Sequence, residues 1–315
     1  MTMTLNLTPA PAPAPAPALQ PRRSVLYVPG SNARALEKAA TLPADGLILD
    51  LEDAVLPAAK LAARASILAA VAGRFFGHRE VVVRINALDT EWGMGDLQAA
   101  GLSGVDGILL PKVESAATLL KAAYVLEQLG APDSLRLWSM AETPRGILDI
   151  DALARCTPRL AVIVLGTADL AKALRAPEGA GRAALVPALA HCLLAARAAG
   201  LDILDGVYPH LSDVSGFQAE CLQGKQLGFD GKTLIHPGQI AGCNAAFGVS
   251  AAEAARAAKL IGAWETAAAS GAGVAVHEGR LVEPLHVEAA QRQLALYQTI
   301  HDRTIPAQAP GTRPA

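Results

Sequence analysis

The chain has 315 residues, 52% of them hydrophobic, and a formal net charge of −2. That length fits one large α/β barrel or two medium domains and supplies a sizeable core. The near-neutral charge without a basic block argues against nucleic acid as a partner, and no run of about 18 apolar residues offers a membrane span.

The alternating Pro and Ala residues from Pro9 to Ala18 predict an extended, polyproline-like tail over residues 1–21. That start has neither an early charge nor a continuous apolar stretch, so it does not read as a signal peptide. Folded structure is expected from about Arg22, and the Pro-rich residues 305–315 are expected to fray. Cys156, Cys192, Cys221 and Cys243 are scattered, with no CxxC pair. They read as reduced thiols of a cytoplasmic protein.

Eight short apolar runs follow in order, at 25–28, 47–51, 81–85, 107–111, 135–140, 161–166, 201–206 and 232–237. Ala-rich stretches with helical spacing separate most of them, at 33–40, 58–71, 116–128 and 183–199. Continuous apolar strands alternating with helices imply a parallel sheet covered on both faces. Eight such units suggest a closed (β/α)8 TIM barrel, an α/β fold, over residues 22–245. A doubly wound open sheet would need a glycine-rich phosphate turn after its first strand, and YVPGSN is not one. Helices at 251–269 and 287–301 would form a C-terminal helical segment or lid over 246–304.

The chemistry is expected at the strand ends. The fifth and sixth strands run into Glu142 and Asp169, each beside a Pro or Gly turn. Two carboxylates from adjacent strands suit Mg²⁺, which takes one or two protein acids and fills its other positions with water or substrate. Both acids could instead cap the helices that follow. Arg84 ends an apolar run and needs an anionic partner: either Glu52 or Asp53, or the carboxylate of a substrate held by a bidentate clamp. Glu52 and Asp53 would orient metal-bound water or neighbouring cations. Lys112 is either in a salt bridge to Glu52 or Glu114, or the Schiff-base nucleophile of a carbonyl substrate. His236 is either a general base or part of a structural His-Pro turn.

The ordered set RRSVLYVPGSN, DLEDAV, VRIN, PKVE, ETPRG, GTADL and GKTLIHPGQI closely resembles the citrate lyase β-subunit-like CoA-ester lyases of the HpcH/HpaI aldolase superfamily. The likeness runs from about Arg22 to about Leu296. It implies a (β/α)8 barrel, often trimeric, whose C-terminal helices pack on a neighbouring subunit. It implies Mg²⁺, with Mn²⁺ as a substitute, held by Glu142 and Asp169, and coenzyme A as part of the substrate. Arg84 falls on the substrate-carboxylate arginine, and Gly166, Thr167 and Ala168 of GTADL on the substrate site. Tyr27, Arg34, Lys38, Ile235 and His236 fall on the CoA contacts. The implied reaction cleaves or forms a C–C bond in an acyl-CoA such as citramalyl-, malyl- or citryl-CoA, with a 2-keto acid as partner product. Relatives that also hydrolyse thioesters carry a catalytic Asp in a segment like GRMVDxP. This chain reads Gly279-Arg-Leu-Val-Glu283-Pro, with one methylene more and the proline one place early. Glu283, Glu52, Asp53 or a metal-bound water would serve as acid and base. The rival readings are a thioesterase, a Schiff-base aldolase through Lys112, and a citrate lyase complex subunit working on an acyl-carrier protein.

Overall fold

The computed structural model describes residues 19–73, 76–176 and 182–304. Of the tail expected over residues 1–21, residues 1–18 lie outside the described residues, as does the expected frayed end from 305; residues 19–21 are described without helix or strand, and Pro21 is buried. Eight parallel strands close into a barrel in sequence order: β1 (Ser24–Pro29), β2 (Gly46–Asp50), β3 (Glu80–Arg84), β4 (Gly107–Leu110), β5 (Arg136–Ala141), β6 (Leu160–Leu165), β7 (Asp202–Asp205) and β8 (Gly231–Leu234), with β8 pairing back onto β1. The connecting helices are α1 (Ala33–Ala39), α2 (Lys60–Ala72), α3 (Gly93–Gly101), α4 (Ala116–Gln128), α5 (Pro144–Leu148), α6 (Ile150–Arg155), α7 (Thr167–Ala173), α8 (Val186–Ala198) and α9 (Val214–Leu227), with α10 (Ile240–Phe247) after β8. The fold is the (β/α)8 barrel that the sequence predicts.

Successive residues of a strand point to opposite faces, so each strand builds two cores. Outward-facing Leu47, Leu49, Val83 and Ile108 pack with the helices. Inward-facing Val25, Ile48, Val82, Leu109, Trp138, Val162 and Leu204 fill the barrel. Each large interior side chain contributes roughly 1.5–3 kcal/mol by leaving water. Two residues before the interior layer on β3 and β7, the same face carries Glu80 and Asp202. Arg22 closes that end by donating to Glu80 at 2.6 and 2.7 Å and pairing with Asp202. Its guanidinium lies 5.3 Å from the Trp138 ring centroid, a cation–π contact. Two residues beyond the interior layer the same face carries Asp50 on β2 and Arg84 on β3, which puts charge at the opposite mouth.

Residues Arg22–Val249 form one compact unit; a second groups the described residues before Arg22 with those from Ser250 on. The second unit contains α11 (Ala251–Ala269), the hairpin β9 (Ala275–His277) and β10 (Arg280–Val282), and α12 (Pro284–Thr304). Ser250 and Glu253 form a reciprocal capping box at the start of α11, satisfying backbone N–H groups that have no helical partner. The hairpin, whose short strands the sequence pattern does not reveal, turns through Glu278 and Gly279 at φ 48° and 75°, as a tight two-residue turn requires. No helix among the described residues is long and apolar enough to cross a membrane. All four cysteines are free.

Candidate active site

The inward period of two carries β1, β2, β3 and β5 into a polar mouth: Val25 leads to Tyr27, Ile48 to Asp50, Val82 to Arg84, and Trp138 through Met140 to Glu142. These side chains, with Asp53, Asp169 and Ile235, line one cavity of about 340 Å³ at the C-terminal end of the barrel. Gly166, Thr167 and Ala168 line it too, so much of the set predicted from sequence meets at one place, where barrel enzymes carry their chemistry.

Glu142 directly follows β5 and is 2% exposed. It caps no helix; the adjacent Thr143 caps α5 by accepting from the Gly146 N–H at 3.1 Å. The Glu142 carboxylate accepts the Lys112 backbone N–H at 2.6 Å. Burial pushes the carboxyl up to about 7. The Lys112 hydrogen bond and Arg84 oppose that rise, while the Glu52 and Asp169 charges add to it. Gly166, between β6 and α7, faces it; a Cβ there would lie 2.5 Å from the Glu142 Oε2, so the chain approaches this closely only with glycine. Asp169 lies past the end of β6, in the first turn of α7, where its charge also complements the helix dipole.

Arg84 is held from several directions. Its Nε and Nη2 donate to both oxygens of Asp50 at 2.6 Å each. Nη1 lies 2.9 Å from Glu52 and 3.6 Å from Asp53, and the guanidinium sits 4.8 Å from the Tyr27 ring centroid. Burial alone would lower its pKa; the hydrogen bonds and charges of its partners reverse that and raise it. The sequence pattern alone does not single out Asp50. The parallel register opposes Asp50 to Arg84 directly, so the last residues of β2 and β3 form a charged pair. Asp50 also accepts from the Glu52 and Ala54 N–H groups at 2.9 and 3.2 Å, which shapes the loop carrying both acids. The bidentate fork of Arg84 is thus engaged by the protein's own carboxylate.

Lys112 Nζ donates to Glu52 at 2.6 Å. Burial works to lower its pKa, but the Glu52 hydrogen bond and the surrounding acids raise it. A Schiff-base nucleophile needs a neutral amine, so this environment counts against that reading and supports the salt bridge. His236 is exposed, and its Nδ1 accepts from the Gly238 N–H at 3.0 Å; it starts a 3-10 turn and does not line the cavity. Arg34 and Lys38 lie on an exposed part of α1, outside the cavity lining. Asp205, at the end of β7, faces outward: it pairs with Arg182 and with the fully buried Lys232. Glu283 belongs to the unit beginning at Ser250.

The mouth carries five carboxylates (Asp50, Glu52, Asp53, Glu142 and Asp169) against the two cations Arg84 and Lys112. Arg84 and Lys112 are paired with the first three, so among the described residues Glu142 and Asp169 have no salt-bridge partner of their own. Oxygen donors with an uncompensated charge suit a hard divalent cation, and a buried carboxyl raised towards neutrality is what such an ion would relieve. Among the described residues no group of three or more His, Cys, Asp or Glu is arranged to hold a metal. Two carboxylates are nonetheless sufficient for Mg²⁺, which keeps several waters or substrate oxygens.

The model for the family described as HpcH/HpaI aldolase/citrate lyase matches residues 23–237. The chain is 48% identical over 280 residues to a (3S)-malyl-CoA thioesterase of Cereibacter sphaeroides, covering 89% of this chain and 96% of the relative. It is 36% identical over 279 residues to the citrate lyase subunit beta of Escherichia coli, covering 87% and 92%. Among solved structures, the protein CitE from Mycobacterium tuberculosis in complex with magnesium, acetoacetate and coenzyme A aligns with a TM-score of 0.70 at 30% identity, covering 87% of this chain and 97% of that one.

Proposed function

Because the chain belongs to the HpcH/HpaI aldolase/citrate lyase family, we propose that it is a Mg²⁺-dependent carbon–carbon lyase acting on a 3-hydroxyacyl-CoA such as citramalyl-, malyl- or citryl-CoA. The products are an acyl-CoA and a 2-keto acid, or the reaction runs the other way. The observation that carries this reading is the pair Glu142, directly after β5, and Asp169, in the first turn of the helix after β6, two carboxylates with no salt bridge of their own among the described residues. The related CitE structure with magnesium, acetoacetate and coenzyme A supports the same ligands.

Glu142 and Asp169 would hold the cation, which when bound supplies Lewis acidity to the oxygen beside the substrate's carboxylate. Arg84, kept charged by Asp50 and Glu52, places a fixed positive field on the acid end of the substrate. The cavity of about 340 Å³ lies near the small end of ligand pockets. It accommodates the acid unit and leaves the bulk of CoA at the mouth, where Tyr27, Ile235, His236, Arg34 and Lys38 are the proposed contacts. In cleavage the hydroxyl gives up its proton as the C–C bond breaks. The electron pair moves to the thioester enolate, which is then protonated at carbon. Asp53 lines the cavity with a side chain 59% exposed, whereas Glu52 is locked between Lys112 and Arg84, so Asp53 is the barrel's better proton carrier. Glu283 is retained as the proposed acid from the C-terminal segment. The family resemblance alone supports a cytoplasmic homotrimer whose C-terminal segment acts as a lid on a neighbouring subunit.

Thioester hydrolysis is the second reading, favoured by the 48% identity to a malyl-CoA thioesterase. The three CoA esters, each assayed with Mg²⁺ and with EDTA, separate the two. The lyase yields keto acid with Mg²⁺ and none under chelation. Free thiol without keto acid would establish hydrolysis instead, and full activity in EDTA would overturn the metal assignment.

A further inference from the structure

Three described non-glycine residues have positive φ: Lys112 at 50°, Arg175 at 54° and Glu278 at 48°. Arg175 follows the end of α7 and Glu278 turns the hairpin, both ordinary places for a left-handed residue. Lys112 has neither excuse. It lies two residues after β4, in a turn where an L side chain crowds its own backbone. Strain of this kind persists only where the surroundings hold it, and it gathers at active sites.

Its two ends show what the conformation achieves. The backbone N–H points into the barrel mouth and donates to Glu142 Oε1 at 2.6 Å. The side chain runs the other way along the rim, and Nζ donates to Glu52 Oε1 at 2.6 Å. The other oxygen of Glu52 lies 2.9 Å from Arg84 Nη1. One residue therefore touches both halves of the site, the carboxylate proposed for the metal and the acid that steadies the arginine.

We propose that Lys112 is a positioning residue acting through two separable parts: its left-handed backbone orients Glu142 for the divalent cation, and its ammonium holds Glu52 in place beside Arg84. The proposal rests on the metal reading given above. A partner N–H on one carboxylate oxygen fixes the rotation of the group and leaves the other oxygen to coordinate, as outer hydrogen bonds do for metal ligands generally. The ammonium balances Glu52, so that Arg84 is not drawn out of the cavity by an uncompensated acid.

Substitutions at position 112 separate the parts, with Mn²⁺ binding read by the electron paramagnetic resonance of the free ion and with steady-state kinetics on the CoA ester. Lys112→Gly keeps the N–H and relaxes the left-handed turn but removes the ammonium. Lys112→Val also removes the ammonium, and its branched side chain disfavours positive φ. Lys112→Ala provides a milder strain should the valine variant fail to fold. Lys112→Gly is expected to bind Mn²⁺ within about twofold of the parent while its KM rises, and Lys112→Val to bind Mn²⁺ about tenfold more weakly than Lys112→Gly. Lys112→Arg should restore KM. Equal Mn²⁺ affinity in the glycine, alanine and valine variants would overturn the backbone role, and a parental KM in Lys112→Gly would overturn the ammonium role. Asp169→Asn is the control on the underlying reading: if it binds Mn²⁺ as the parent does, the metal site itself is misplaced and both fall together.

Discussion

At the scale of single residues, Glu142 is the group whose chemistry depends most on its surroundings. Its carboxyl is raised from an ordinary 4.5 to about 7, first by burial and then by Glu52 and Asp169. Between those two values the folded state holds a proton that the unfolded state has released, so this group's contribution to stability is full below about 4.5 and is lost as pH rises through about 7. In metal-free protein Glu142→Gln is therefore expected to be more stable than the parent at pH 8, by about 3 kcal/mol at most. The gain should vanish below about pH 4.5. Urea unfolding across that range checks it; an advantage that is constant with pH would assign the effect to packing. The carboxylate pair was legible in the sequence because an apolar strand stopping at an acid is rare in a core. Glu52 and Asp53 were legible as partners of Arg84 and do lie beside it; its bidentate partner was not, because which acid faces the fork depends on strand register. Asp50 ends β2 as Arg84 ends β3, and only the parallel pairing sets them opposite each other.

At the scale of elements, the loop after β2 is the piece on which the site's electrostatics turn. Asp50 binds the Arg84 fork and accepts two N–H groups of that loop. Asp50→Ala is expected to cost about 3 kcal/mol in urea unfolding, since it leaves a buried guanidinium short of its main partner. Asp50→Asn, which keeps an acceptor oxygen, should lose less. A loss below about 0.5 kcal/mol for the alanine variant would mean that Glu52 and Asp53 suffice. The eight barrel strands and the longer helices could be placed from sequence because continuous apolar runs and Ala-rich helical spacing are strong, local signals. Two features escaped. Asp205 ends its strand like the site acids but has the opposite parity, so it joins Lys232 on the helix side. Strands β9 and β10 are three residues each, too short for an alternation to stand out.

At the scale of the whole molecule, every barrel-borne donor of the proposed metal and acid site lies within Arg22–Val249, a unit with its own interior and outer cores. A chain ending at Val249 is therefore expected to unfold cooperatively and to bind Mn²⁺ with affinity near that of the full chain. Turnover should suffer if Glu283 or the rest of the C-terminal segment takes part in proton transfer. Calorimetry and metal titration of the shortened chain check this. A chain that folds but no longer binds the ion would place a ligand beyond the barrel.

Anomalous diffraction from crystals soaked in Mn²⁺ decides whether Glu142 and Asp169 hold a divalent cation for CoA-ester cleavage. A single strong anomalous peak is expected at the barrel mouth, within direct bonding distance of one carboxylate oxygen from each residue. That assignment would be contradicted by a mouth without a peak, or by a Mn²⁺ ion bound there through other side chains with both acids turned away.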